Sequence, residues 1–323
     1  MDYSKLAAFH DLEPELENFS DTLVTGLMKS PKSLPCKFFY DKRGSEIFDK
    51  ICNLKEYYVT RTELSLLEKY STEMLGLFGN DIHLVEFGSG SSKKIRKLLD
   101  SGKSIKAYTA IDISKEHLLD SCSTLADEYV DLSVSAICAD YTRKLCLPTL
   151  PLNSYKKIGF FPGSSIGNFS QEEAVSFLKN AASALGSGSG LLVGIDLKKD
   201  TKLLEAAYND KAGVTADFNL NLLFRAKKEL GISFDLNSFQ HQAVYNSNLG
   251  RIEMWLISKT NQSIEFRENK FVFTKGERIH TESSYKYSID DIKELASSAD
   301  YHISKSWIDA NRLFSIHFLS LKN

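Results

Sequence analysis

The spacing of apolar positions along the chain changes several times, and each change marks an element. Residues 1 to about 60 have no clean period. The stretch KSLPCKFFYDKRGSEIFDKICNLKEYYVTRTE crowds aromatic and charged residues together and reads as an irregular segment, with Phe38, Phe39 and Phe48 filling a core edge. From Thr60 the text is regular. Leu64, Leu67, Met74, Leu75 and Phe78 share one helical face; Thr60 with Glu63 reads as a capping box, and Gly79-Asn80 as the stop. Short apolar runs at 82–87, 108–112, 134–138, 157–161 and 191–196 have the length of buried strands. Helical patterns alternate with them, one opening at Ser114 and one at the capping box Ser170-Glu173. Such strand–helix alternation predicts a parallel sheet covered on both faces, a doubly wound α/β core.

Beyond residue 196 the alternation breaks. Helical stretches near 203–208 and 218–230 precede strand-like segments at 251–258 and 264–273. Ser288 with Asp291 starts another helix, and runs at 303–308 and 313–321 form a late hairpin on the sheet edge. The predicted layout is one core from 63–196 plus 287–323, and a second domain from 1–62 plus the insertion 197–286.

Composition narrows the class. The 323 residues suit about two domains. Forty Lys and Arg against 42 Asp and Glu leave a net charge of −2, so the basic excess expected of a nucleic-acid binder is missing. The acidic, broken N-terminus is not a secretory signal, and no apolar run could span a bilayer. Five cysteines (Cys36, Cys52, Cys122, Cys138, Cys146), odd in number and without a CxxC pair, read as reduced thiols in a cytoplasmic protein. The seven histidines lack metal spacing, so no metal is expected.

In a doubly wound sheet the ligand lies beyond the carboxyl ends of the strands. There the chain places Glu86, Gly88 and Gly90, then Asp112, then Asp140-Tyr141, then Pro162 to Asn168. Glycines permit close approach of backbone, Asp112 suits ribose hydroxyls, and Asp140 with Tyr141 suits an adenine edge and face. An adenosine ligand follows, and two classes compete for it. A nicotinamide dehydrogenase wants G-x-G-x-x-G, but Ser92 stands where the third glycine would be. S-adenosylmethionine enzymes need no pyrophosphate cradle and end in a strand hairpin, so the methyl donor is favoured.

At this point the strings become specific. KSLPCKFFYDKRGSEIFDKICNLKEYYVTRTE, LVEFGSGSSKK, PGSSIGNF, AAYNDKAGVTADFNLNLL, RIEMWL and HTESSYKY occur in this order across nearly the whole chain. Together they resemble the histidine-specific N-alpha-methyltransferases of ergothioneine biosynthesis. The resemblance implies a seven-stranded, Rossmann-like methyltransferase core with a substrate domain built from the N-terminal segment and the insertion. It implies S-adenosylmethionine as co-substrate, L-histidine as substrate, hercynine as product, and a monomer. Its donor site falls on Gly88, Lys94, Asp112, Asp140, Tyr141 and Gly163, with Tyr141 replacing the usual phenylalanine. Its amino-acid site falls on Tyr57, Asn168 and Tyr208 for the backbone end, and on Glu282 and Ser284 for the imidazole. Tyr40 would lie by the amine as the catalytic group, and Met254 would line the pocket. The chemistry agrees: tyrosine hydroxyls and an amide can hold a carboxylate and orient an amine without competing nucleophiles. A relative acting on another aromatic amino acid such as tryptophan, or a non-catalytic donor-binding regulator, is the alternative.

Overall fold

The computed structural model describes residues 4–12, 19–148 and 154–321. In chain order the strands are β1 (Ala8–Asp11), β2 (Lys32–Ser33), β3 (Ile82–Phe87), β4 (Ile105–Asp112), β5 (Ser133–Cys138), β6 (Lys156–Phe161), β7 (Gly190–Asp196), β8 (Phe239–Asn246), β9 (Arg251–Ser258), β10 (Gln262–Phe266), β11 (Asn269–Phe273), β12 (Arg278–Tyr285), β13 (Tyr301–Ile308) and β14 (Phe314–Leu321). The helices are α1 (Phe19–Met28), α2 (Lys42–Ile51), α3 (Tyr58–Phe78), α4 (Lys93–Leu99), α5 (Lys115–Glu128), α6 (Gln171–Leu185), α7 (Thr201–Tyr208), α8 (Val214–Leu230) and α9 (Ile289–Ser298). Two units divide the chain: Met1–Pro14 with Val59–Lys198 and Tyr285–Asn323, and Glu15–Tyr58 with Lys199–Ser284.

The first unit is built on one sheet of order β1-β5-β4-β3-β6-β7-β14-β13. β1 and β3 to β7 run parallel, whereas β14 lies antiparallel to both β7 and β13. Every residue of β3 and β7 is buried, which is why both read as unbroken apolar runs. On one face α6, which carries Phe177, and α9 close over Phe87, Phe161 and Ile195. The rings of Phe161 and Phe177 lie 4.3 Å apart, and each such buried side chain stabilises the fold by about 1.5–3 kcal/mol. Asp309 fixes the β13–β14 turn by accepting from the Leu313 and Phe314 amides at 2.6 and 2.7 Å.

Two local expectations differ. β1 joins this sheet, although residues 1–62 were all expected in the other domain. Its alternating half-exposed residues carry no strong pattern; the open edge of β5 recruits it, with Phe9 opposite Ala136. The Thr60-Glu63 capping box is absent, because α3 begins at Tyr58 and Glu63 turns into the protein interior. The boxes at Ser170-Glu173 and Ser288-Asp291 form as read.

The second unit holds a sheet of order β2-β12-β9-β8, with α7 and α8 packed on β8 and β9. Met254 of β9 stands opposite Ala243 of β8. Residues 264–273, read as one strand, fold instead as the β10–β11 hairpin, with Arg267 in the left-handed region at the turn. No glycine marks that turn, so the sequence hides it. The segment read as irregular contains α1 and α2. Gly44 lets α2 approach the preceding loop, since a Cβ there would lie 1.7 Å from the Phe39 carbonyl oxygen.

Candidate active site

In the first unit the strand order reverses between β3 and β6, the switch point at which such sheets bind ligands. Gly88 follows β3 with φ +73°, and a Cβ there would meet the Tyr141 hydroxyl at 3.1 Å. Only glycine satisfies both constraints. Asp112 ends β4; one of its oxygens accepts from the Gly90 amide at 3.2 Å and the other from the Ser114 amide at 3.0 Å. It therefore ties the glycine turn to the start of α5. Each oxygen retains a second lone pair, the acceptor a ribose diol needs. Asp140 follows β5, held by the amide of Thr142 at 3.0 Å and by its hydroxyl. The Tyr141 ring packs edge-on against Phe87, Phe161 and Phe177. This set fits an adenosine: open backbone at Gly88, carboxylates at Asp112 and Asp140, and an anchored aromatic between them. Ser92 adopts the left-handed conformation that a glycine would otherwise supply.

Glu86, at the carboxyl end of β3, receives the Tyr108 hydroxyl at 2.5 Å. Burial pushes its carboxyl up to about 8. The Tyr108 bond and Lys94 pull the other way, while Glu63 and Asp112 add to the rise.

Glu63 is the residue that sequence reasoning misplaced. Its carboxylate accepts from the Gly163 amide at 3.0 and 2.9 Å and pairs with Lys94 Nζ at 2.7 Å. Gly163 has φ +83° and Ser164 is left-handed, so the peptide after β6 turns sharply. The turn ends in a short 3-10 helix, Ser165–Asn168. Gly167 there fits against the Tyr285 backbone, where a Cβ would lie 2.7 Å from the carbonyl oxygen. Ser164 Oγ accepts from the Asp196 amide at 2.9 Å, and Asp196 forms a fully buried pair with Lys286.

The second unit gathers the tyrosines. Tyr57 and Tyr208 meet edge to face at 6.1 Å, and the Tyr208 hydroxyl lies 2.9 Å from Ser284 Oγ. Burial drives the Tyr57 hydroxyl well above its ordinary pKa, and Tyr208, Cys52, Tyr40 and Glu282 add to the rise. Tyr57 is thus a neutral donor at physiological pH. Phe48 bridges Tyr40 and Tyr57, its ring 5.8 Å from the first and 6.3 Å from the second. Tyr40 lies between the 3-10 turn Cys36–Phe39 and α2, its ring against Phe48 and Phe218. Asn221 of α8 anchors that loop by donating to the Phe39 carbonyl at 3.3 Å and to Asp41 at 2.8 Å.

Glu282 and Ser284 reach this cluster through an irregularity in β12. Its burial alternates until Thr281, then slips by one so that Thr281 and Glu282 are both buried. His280 and Ser283, three apart, hydrogen-bond to each other at 3.2 Å. Met254 is buried on β9, and its carbonyl accepts the Thr281 hydroxyl at 3.0 Å. Tyr208 itself is held from behind: His241 Nε2 lies 2.8 Å from its carbonyl, which can only accept, so that nitrogen carries the proton. His241 Nδ1 then accepts from Asn219 at 2.8 Å. Neither His241 nor Asn219 was picked out from the sequence; a histidine without metal spacing gives no signal of this kind.

A parallel sheet entered by an antiparallel penultimate strand, with a glycine turn at the switch point and acids after the next two strands, defines the Rossmann-like fold of the S-adenosylmethionine-dependent methyltransferases. A methyltransferase of this class from Clostridium acetobutylicum superposes with a TM-score of 0.50 at 12% identity, over 85% of this chain and 99% of that one. The family described as "Histidine-specific methyltransferase, SAM-dependent" matches residues 19–321, and the chain belongs to it. The histidine N-alpha-methyltransferase of Mycolicibacterium smegmatis is 38% identical over 289 residues, 88% of this chain and 89% of that protein. Ergothioneine biosynthesis protein 1 of Neurospora crassa is 30% identical over 310 residues, 93% of this chain but 35% of that protein.

Proposed function

We propose that this chain transfers three methyl groups from S-adenosylmethionine to the α-amino group of L-histidine, giving hercynine, a step toward ergothioneine. The observation that carries the reading is the buried cluster of Tyr57, Tyr208, Glu282 and Ser284 in a member of a histidine-specific family. Family names supply the substrate class; the cluster supplies groups that suit it. Neutral hydroxyls of Tyr57 and Tyr208 are assigned to the substrate carboxylate and amine. Glu282 and Ser284 are assigned to the two imidazole nitrogens.

Gly88, Lys94, Asp112, Asp140, Tyr141 and Gly163 are assigned to the donor, which when bound supplies a methyl group on a sulfonium. The chain's contribution is alignment of two reactants, because in-line displacement needs the amine lone pair close behind that methyl. The attacking amine must be neutral, and each transfer releases one proton. Tyr40 is assigned to the path of that proton, directly or through water. In this reading the chain is a cytoplasmic monomer acting on small molecules, without metal, membrane or nucleic acid. No helix among the described residues is long and apolar enough to cross a membrane.

The test is incubation with S-adenosylmethionine and each of the twenty amino acids in turn, with mass readout. Trimethylated histidine is expected, with no other amino acid consumed at comparable rate. Methylation of tryptophan instead, or of nothing, would overturn the assignment.

A further inference from the structure

The Glu63 carboxylate occupies a space that the sheet itself keeps clear. A Cβ on Gly194, in the middle of β7, would lie 2.1 Å from Glu63 Oε1, and one on Gly163 would lie 2.9 Å from Lys94 Nζ. Glycine in a strand interior weakens the strand unless something must approach closely. Here the thing that approaches is a carboxylate with no exposed surface, paired with a lysine whose side chain is 19% exposed. A buried charge is tolerated only when its partners are well placed. The Lys94 ammonium and the Gly163 N–H are those partners, and both belong to segments at the switch point. Lys94 lies on the helix that follows the glycine turn, whereas Gly163 opens the turn that ends at Asn168.

We propose that Glu63 is a positioning residue for methyl transfer. It aims the Lys94 ammonium at the methionine end of the donor and locks the Gly163 peptide, and with it the turn carrying Asn168. One carboxylate thereby holds two segments of the first unit in register. The proposal rests on the donor-site reading given above, and it adds a residue that touches neither reactant. Glutamine at this position keeps the shape but brings an NH2 group against either an ammonium or an N–H, so one contact must fail.

The experiment is calorimetric titration of the full chain with S-adenosylhomocysteine, alongside thermal melting, for wild type, Glu63→Gln, Lys94→Met and the double variant. Glu63→Gln and Lys94→Met are each expected to weaken binding at least tenfold. The double variant is expected within threefold of the worse single, because Glu63 acts through Lys94. Lys94→Met is expected to melt lower, having stranded a buried carboxylate; adding Glu63→Gln should restore melting but not binding. A purely structural role would make affinity follow melting temperature in all three variants, and that result overturns the proposal. So does binding by Glu63→Gln within twofold of wild type, or losses that multiply in the double variant. If Glu63→Gln does not fold, Glu63→Asp carries the same expectation, folded but at least tenfold weaker, with unchanged binding overturning it. A wild-type chain that binds no S-adenosylhomocysteine overturns the donor reading and this proposal together.

Discussion

The Tyr208 hydroxyl and Ser284 Oγ stand 2.9 Å apart, both on buried side chains that come from opposite ends of the inserted segment. Hydroxyl hydrogens rotate to suit their partners, so the pair can offer a donor to a carboxylate and keep its mutual bond. Tyr208→Phe removes that option and leaves the serine facing a ring. Histidine affinity is expected to fall about fivefold, matching the roughly 1 kcal/mol of one hydrogen bond. Affinity for S-adenosylhomocysteine should stay unchanged. Calorimetry with each ligand separates the two, and equal histidine affinity in wild type and variant would remove Tyr208 from the pocket.

Glu282 should decide substrate choice. Beside an imidazole its carboxylate meets a donor, whereas beside an indole it is left with unpaired acceptor capacity, a mismatch costing about 1–3 kcal/mol. Histidine is therefore expected over tryptophan by about tenfold to a hundredfold in competition assays. Glu282→Ala should erode the preference through histidine affinity, and Met254→Ala added to it should open room for the indole. Histidine affinity untouched by Glu282→Ala would count against this pocket.

Gly88→Ala should cost about 1–3 kcal/mol of stability, since an alanine is strained at φ +73° and its Cβ meets the Tyr141 hydroxyl. Tyr141→Phe removes the nearest atom, leaving ring carbons at 3.4 Å. The double variant should recover the steric part and keep the backbone part. Denaturant melts of the four proteins give the coupling; strict additivity would show that the hydroxyl is not the obstacle.

The Glu86 carboxyl gives a pH signature. Its folded pKa of about 8 lies above its ordinary 4.5, so the native protein holds a proton that the unfolded chain releases. That contribution is complete below pH 4.5 and is lost as pH rises through about 8. Glu86→Gln abolishes the loss, so the variant should gain melting temperature relative to wild type between pH 5 and 8. The buried histidines His83 and His317, both depressed to about 4, titrate with the opposite slope. Their contribution is present above pH 6.5, falls away toward 4, and cancels in the comparison. Parallel pH profiles would disprove the assignment.

Tyr40→Phe keeps the ring contacts with Phe48 and Phe218 and deletes only the hydroxyl. A slower methyl transfer whose pH dependence moves is expected from single-turnover assays. Rates unchanged across the pH range would take Tyr40 off the proton path.

Most of the first unit was legible because parallel strands buried on both faces leave continuous apolar runs, as at Ile82 to Phe87 and Leu191 to Ile195. β8 and β12 were not. FQHQAVYN is half polar, with His241 bonded to α7 and α8 and Asn246 to Glu253 of β9, and RIHTESSY breaks alternation at Thr281 and Glu282. Helix α1 was hidden in a segment read as aperiodic, although Phe19, Leu23 and Leu27 recur at helical spacing. Gly88, Asp112, Asp140 and Tyr141 followed from the strand ends, whereas Tyr40, Tyr57, Lys94, Tyr208, Met254, Glu282 and Ser284 came from resemblance. Glu63 was misassigned because Thr60-x-x-Glu63 spells a capping box, and only the true helix start at Tyr58 directs the carboxylate inward.

Strand β7 lies between β6 and β14, and its edge toward β14 closes with Ser315 against Ile195, 120 residues further along. On a ribosome, β7 emerges long before that partner exists, and the Lys199–Ser284 part of the second unit is made in the interval. The growing chain therefore carries a seven-residue apolar strand with one open side throughout synthesis of residues 199–313. Such an edge pairs readily with other nascent chains. Translation stopped just short of Phe314 yields a polypeptide with both residue clusters encoded and its sheet unsealed, a substrate for chaperones rather than a weakened enzyme.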